Sequence, residues 1–212
     1  LCTPHNIAIF AQAGNTGVLG ACAMIPQTPT LLVYLSQMCA VRSFDTFNST
    51  PTIKPGATFA TVHEFLAPHG LLFPLTLASQ SAATIGGNLA TNAGGTQVLR
   101  YGNMRDLCLG LEVVLADGQV WSGLNTLRKN NTGYDLKNLF IGSEGTLGII
   151  TAAVLKLFPQ PGERITALIA TPDLPSVLQA FDAIQRACDA QLTAFEYVSP
   201  AALALVCAQF NY

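Results

Sequence analysis

The chain has 212 residues and a net charge of −2; half of its residues are hydrophobic and only 10% are charged. Soluble domains are ordinarily about a quarter charged. So little charge excludes a coiled coil, a disordered tail and an electrostatic nucleic-acid binder, which needs a basic face. In chain order, Ile7–Ala11 reads as a strand, followed by the loop Gln12–Gly20. Leu31–Leu35, Arg42–Phe47 and Thr52–Lys54 read as further strands. Thr58–Ala67 has helical spacing, with Phe59, Val62, Phe65 and Leu66 on one face and Gly70 as a stop signal. Thr76–Gly102 is loop and short helix. Leu107–Leu115 and Gln119–Trp121 flank Asp117-Gly118, a strong hairpin signal. Leu136–Phe140 is a helical turn, and Leu147–Phe158 is a long strand ended by Pro159 and Pro161. Beyond it the pattern gives a strand at Ile165–Ala170, a helix at Leu174–Cys188, a strand at Leu192–Val198 and a helix starting at Pro200. The whole is a mixed α+β pattern in two parts, divided near residue 160.

Several features narrow the class. Leu139–Phe158 is apolar over about the length of a bilayer span. It contains Glu144 and Lys156, and the cost of burying those charges favours a strand entered by a glycine-rich turn. No stretch has the pattern of a signal peptide. The six cysteines include no closely spaced pair, so they read as free thiols in a reducing, cytoplasmic setting. His5, His63 and His69 lack metal-ligand spacing and read as structural. Only four charged residues, Arg42, Asp45, Lys54 and Glu64, precede Arg100. A half so poor in charge is expected to face a large buried ligand, a partner chain (including self-association) or further parts of its own protein. The apolar ending and the lack of an initial methionine suggest a fragment of a longer chain.

Three stretches carry chemistry. Ala13-Gly14-Asn15-Thr16-Gly17-Val18-Leu19-Gly20 follows a strand, and its small residues can gather backbone N–H groups into a phosphate nest without a cation. An ordinary tight loop is the alternative. Thr84-Ile85-Gly86-Gly87-Asn88-Leu89-Ala90-Thr91-Asn92-Ala93-Gly94-Gly95 weakens any plain helix or strand. It suits backbone lying against a flat ligand, with Asn and Thr offering donors and acceptors. Asn131–Leu136 followed by Phe140–Thr151 is a glycine-punctuated turn entering a strand. Glu144 there is a carboxylate in apolar surroundings that needs a partner or a raised pKa. It forms either a second wall of the same site or a tight turn with Glu144 as a cap.

Together with Leu99-Arg100-Tyr101-Gly102-Asn103, these stretches resemble the FAD-linked oxidoreductases with a vanillyl-alcohol-oxidase or PCMH-type flavin domain. Within them the similarity is greatest to the D-2-hydroxyacid dehydrogenase branch, which includes D-2-hydroxyglutarate and D-lactate dehydrogenases and the glycolate oxidase FAD subunit. The resemblance implies a PCMH-type domain of two α+β subdomains over residues 1–160, and over 161–212 the start of an α+β substrate, or cap, domain. It implies that Ala13, Gly14, Asn15, Thr16, Gly17 and Gly20 cradle the FAD pyrophosphate. Pro74, Thr84, Gly86, Gly87, Asn88, Thr91, Asn92, Gly94 and Gly95 would follow the ribityl chain, pyrophosphate and ring, with Tyr101 and Gly102 closing the segment. Glu144, Gly145, Gly148 and Ile150 would line the strand entry. Asn15 stands where covalent relatives carry a flavin-linking histidine, which implies non-covalent FAD.

For the intact protein the resemblance implies oxidation of a D-2-hydroxyacid to the 2-oxoacid by hydride transfer to flavin N5. Electrons would then pass to a quinone, a flavoprotein or oxygen. A non-catalytic FAD-binding subunit is the alternative. The histidine-rich segment that in this branch positions the hydroxyacid or a divalent metal has no counterpart here, so no catalytic base or metal ligand is assigned. Arg100, Arg105 and Lys137 are on offer to a carboxylate, with a solvated or structural role as the alternative. The isolated chain is expected to hold FAD weakly or not at all and to show little or no turnover.

Overall fold

The computed structural model describes residues 2–20, 22–23 and 28–210. Strands β1 (Ala8–Gln12) and β2 (Thr30–Tyr34) pair in parallel, Ala8 opposite Thr30 and Gln12 opposite Tyr34. Parallel neighbours cannot be joined by a tight turn, so the chain between them makes the excursion that carries the loop after Ala13. Strands β3 (Val41–Asp45) and β4 (Thr50–Ile53) form an antiparallel hairpin. Its turn is fixed by Asn48, whose amide and side chain both donate to the Asp45 carboxylate, at 3.0 and 2.7 Å.

Helix α1 (Phe59–Leu66) starts at Thr58, whose hydroxyl accepts from the Thr61 amide, a side-chain N-cap. It buries Phe59, Val62 and Leu66, with Phe65 partly buried, and the chain leaves through Gly70 at φ +63°. His63 Nε2 lies 3.0 Å from the Phe73 carbonyl oxygen, and the His69 ring packs on Phe44 and Phe65. A two-residue strand, β5 (Leu71–Leu72), then precedes two short helices, α2 (Ile85–Ala90) and α3 (Val98–Tyr101).

Strands β6 (Cys108–Val114) and β7 (Val120–Ser122) form the hairpin expected at Asp117-Gly118, with Gly118 at φ +86°. After α4 (Lys137–Phe140), strand β8 (Ile149–Leu155) inserts between β4 and β6, giving a five-stranded antiparallel sheet in the order β3-β4-β8-β6-β7. The centre of the sheet and α1 bury Ile53, Phe59, Phe73, Leu111, Val113 and Leu155. The apolar stretch read against a membrane span is thus largely a central, buried strand and the turn entering it. Among the described residues no helix is long and apolar enough to cross a membrane.

Three expectations change. The strand expected over Leu147–Phe158 breaks after Leu155. Lys156 donates its amide to the Leu107 carbonyl, and β9 (Phe158–Pro159) leaves the large sheet to pair with β5. The strands expected at Ile165–Ala170 and Leu192–Val198 do not form. Ile165 is 85% and Leu168 100% exposed. A strand exists through its ladder, and no described neighbour offers one here. Helices α5 (Leu174–Cys188) and α6 (Pro200–Phe210) are present, α5 capped by Asp173 accepting from the Ser176 amide. Of the apolar stripe on α5 only Val177 is buried, while Leu174 and Leu178 stay exposed.

Candidate functional site

Helix α2 is one wall of a groove. Its glycine-rich sequence would not sustain an isolated helix, so tertiary contacts hold it. The Thr84 hydroxyl accepts from the Gly87 amide, Ile85 and Leu89 are fully buried, and the Gly86 amide donates to the Pro55 carbonyl at 2.8 Å. A Cβ on Gly86 would lie 2.5 Å from Pro55 Cβ, and one on Gly14 would collide with the carbonyl oxygen of Ala82. Glycine is required at both positions because chain packs on chain. Gly87 faces Ala13, which brings the first loop onto α2.

The turn from Phe140 to Ile150 forms the opposite wall. Gly142 donates its amide to the Leu89 carbonyl at 3.0 Å, and Glu144 donates to that of Ala90 at 2.9 Å. Both acceptors belong to the last turn of α2, where carbonyls lack helical partners. Between the walls lies an open groove with a cavity of about 60 Å³, lined among others by Ala13, Leu35, Gly87, Phe140, Glu144 and Ile150. Glu144 is its only charged lining residue among those described. Contrary to the expectation of apolar surroundings, Glu144 is exposed at the rim, on a left-handed backbone of φ +52°.

The three stretches therefore converge. Of the residues singled out in the sequence, Ala13, Gly86, Gly87, Glu144, Gly145, Gly148 and Ile150 line the groove. Asn15, Thr16, Gly17 and Gly20 are exposed further along the first loop, and among the described residues no hydrogen bond occupies the Asn15–Leu19 amides. Others have their bonding groups engaged within the chain. Thr91 Oγ1 donates to the Gly87 carbonyl, and Asn92 Oδ1 accepts from the Arg105 amide. Gly94 and Gly95 abut Asn103 and the Thr76 backbone, and Gly102 sits against Asp106. Pro74 is buried, and Tyr101 is buried against Phe158 at 4.7 Å between ring centroids. Asn88 differs: it is only 6% exposed, and its Nδ2 has no hydrogen-bond partner.

Ala90, Phe140, Ser143 and Ile149 lie within the stretches singled out but were given no role of their own, and Ala11 and Leu35 lie outside them; all six also line the groove. They are ordinary core and turn residue types, so only their placement marks them. Among the described residues no cluster of three or more His, Cys, Asp or Glu could hold a metal ion.

A hairpin-built sheet flanked by short helices, with a charge-poor groove between glycine-rich walls, is the arrangement of a PCMH-type FAD-binding domain. A family model described as an FAD binding domain matches residues 1–123, and the chain belongs to that family. The chain is 41% identical over 205 residues to a mitochondrial D-2-hydroxyglutarate dehydrogenase of Bos taurus, covering 97% of this chain and 37% of the relative. It is 37% identical over 202 residues to the D-2-hydroxyglutarate dehydrogenase of Stutzerimonas stutzeri, covering 95% and 43%. A solved alkyldihydroxyacetonephosphate synthase superposes with a TM-score of 0.68 at 28% identity, over 76% of this chain and 29% of that one. The chain thus spans well under half the length of the relatives it matches.

The residues present fit FAD. The Asn15–Leu19 amides, unoccupied among the described residues, can donate to phosphate oxygens. The orphaned Asn88 Nδ2 is a buried donor in the wall-forming helix, and such a group ordinarily finds a partner.

Proposed function

We propose that this chain is the FAD-holding part of an oxidoreductase acting on D-2-hydroxyacids, with 2-hydroxyglutarate, lactate and glycolate as the substrate class and the 2-oxoacid as product. The observation that carries the reading is the meeting of the Ala13, Gly87 and Glu144 stretches in one groove, walled by the helix that also carries the unpartnered Asn88 amide. The names of the relatives support the hydroxyacid class.

When bound, FAD supplies the electron-accepting chemistry. The chain's own residues bind and orient. The amides of residues 13–17 and 20 take the pyrophosphate, Asn88 Nδ2 donates to a polar cofactor atom, and the Glu144 carboxylate accepts from hydroxyl or amine groups. Leu35, Phe140 and Ile150 give the groove apolar walls that exclude water. The remaining glycine-rich residues (Thr84, Thr91, Asn92, Gly94, Gly95, with Pro74, Tyr101 and Gly102) shape the flank. Attachment is non-covalent, since Asn15 offers no nucleophile. The base, any divalent metal and the cation for the substrate carboxylate belong to parts of a full-length protein outside this chain. Residues 1–160 form the flavin domain, and 161–212 open a substrate domain. Electrons leave to a quinone, a flavoprotein or oxygen. A reducing, cytoplasmic setting rests on six unpaired cysteines; the bovine relative is named as mitochondrial.

The test is a titration of the chain with FAD, followed by quenching of flavin fluorescence. Saturable binding with Kd of roughly 1–100 μM is expected; no binding at the upper end of that range overturns the reading. In a protein of the relatives' full length carrying this chain, anaerobic D-2-hydroxyglutarate or D-lactate should bleach the flavin absorbance.

A further inference from the structure

Arg105 lies in the turn between α3 and β6, and the groove-lining residues do not include it. Its bonds are nevertheless directed at both walls. Its amide donates to Asn92 Oδ1 at 3.0 Å, just beyond the C-terminal end of α2. Its guanidinium donates through one terminal nitrogen to the Asn138 carbonyl at 2.7 Å and through the other to the Ile141 carbonyl at 2.6 Å. Asn138 is in α4, and Ile141 is its C-cap. Carbonyls at a helix end lack intrahelical partners and carry partial negative charge. A planar fork of charged donors meets two of them at once, which a single ammonium does less well. Among the described residues no carboxylate forms an ion pair with Arg105. Its charge is spent on main-chain carbonyls of the turn that carries Ser143, Glu144 and Gly145.

The same turn is tied to α2 by the Gly142 and Glu144 amides. Those two bonds are peptide bonds' own donors, available to any sequence; Arg105 is the side chain that reaches across. We infer that Arg105 is a positioning residue: it clamps the Phe140–Gly145 wall to the Asn92 end of α2, sets the width of the groove and thereby sets its affinity for the flavin nucleotide. The nucleotide part rests on the reading of the groove given under Proposed function; the clamp itself does not.

The experiment compares the chain with its Arg105→Ala and Arg105→Lys variants by amide hydrogen exchange and by FAD titration. In Arg105→Ala the Gly142 and Glu144 amides should exchange about tenfold faster or more, as expected for local opening when charge-assisted bonds are lost. The amides of the β6–β8 ladder should be unchanged. FAD should bind at least about tenfold more weakly, and added guanidinium ion should restore part of that loss. Arg105→Lys should fall between the two. Arg42→Ala, on β3, removes an arginine that pairs with Glu112 and should alter neither the two amides nor FAD binding. Unchanged exchange at Gly142 and Glu144 in Arg105→Ala overturns the clamp. If that variant does not fold, unchanged exchange in Arg105→Lys overturns it instead. If the parent chain binds no FAD, the reading of the groove fails, while the exchange data still decide the clamp. Faster exchange with unaltered FAD affinity overturns the link between clamp and ligand.

Discussion

The backbone amide of Glu144 donates to the carbonyl of Ala90 at 2.9 Å. One bond thus joins the end of a six-residue, glycine-rich helix to the turn entering a central strand. With Gly142 bonded to Leu89 alongside it, the two walls of the groove form one hydrogen-bonded unit. The site therefore depends on packing behind it as much as on the residues that face it.

Gly86→Ala should expose this dependence. The added methyl would sit 2.5 Å from Pro55 Cβ and 3.1 Å from the Pro55 carbonyl oxygen. Overpacking of this kind costs about 1–3 kcal/mol, and it pushes α2 away from the strand end that holds it. A lower urea midpoint and weaker FAD binding are expected. Gly162→Ala, where a Cβ meets open space, gives the neutral comparison.

Thr50→Val should stabilise the protein. Thr50 is 1% exposed, and its hydroxyl has no partner. Replacing a buried, unsatisfied hydroxyl by a methyl of similar shape removes a desolvation penalty of about 1 kcal/mol or more. Thermal denaturation should shift upward; a downward shift would show that the hydroxyl is satisfied in solution.

Acid sensitivity should be carried in part by Glu112. Arg42 donates to its carboxylate at 2.9 Å, and Thr151 Oγ1 donates to the other oxygen at 2.9 Å. The Arg42 hydrogen bond holds the carboxyl below its ordinary 4.5, partial burial opposes that shift, and Thr151 reinforces it. A depressed folded pKa adds stability that is complete above the unfolded value and is lost as pH falls below about 4.5 toward the folded value. Glu112→Gln should flatten the stability profile in that acid window and leave its shape near neutrality unchanged. Denaturation midpoints measured across pH 3–7 test it.

Cysteine reactivity should follow position. Burial pushes the Cys108 thiol up to about 12, and the residue is 3% exposed. The thiolate is the reactive form. At mildly alkaline pH an alkylating reagent should modify exposed Cys39 and Cys188 in the native chain and spare Cys108 until the protein unfolds. Mass spectrometry of the labelled peptides distinguishes these outcomes; early labelling of Cys108 would contradict its placement in the sheet.

Local chemistry made most elements legible in the sequence alone. The spacing of Phe59, Val62 and Leu66, the Asp117-Gly118 turn and the apolar pattern over Leu174–Cys188 are short-range signals, and each marks an element that forms. The glycine-rich stretches also showed where the groove would be, because few folds need so many small residues with so little charge. Tertiary structure decided what those small residues do. Gly14 and Gly86 are small because the Ala82 and Pro55 segments pass beside them, a contact no local pattern reveals. Arg105 could be read only as a cation on offer until the fold set its guanidinium against the Asn138 and Ile141 carbonyls. The strands expected at Ile165–Ala170 and Leu192–Val198 fail for the same reason in reverse. Propensity can propose a strand, but hydrogen bonds from a neighbour make one, and the neighbour is a property of the fold rather than of the segment.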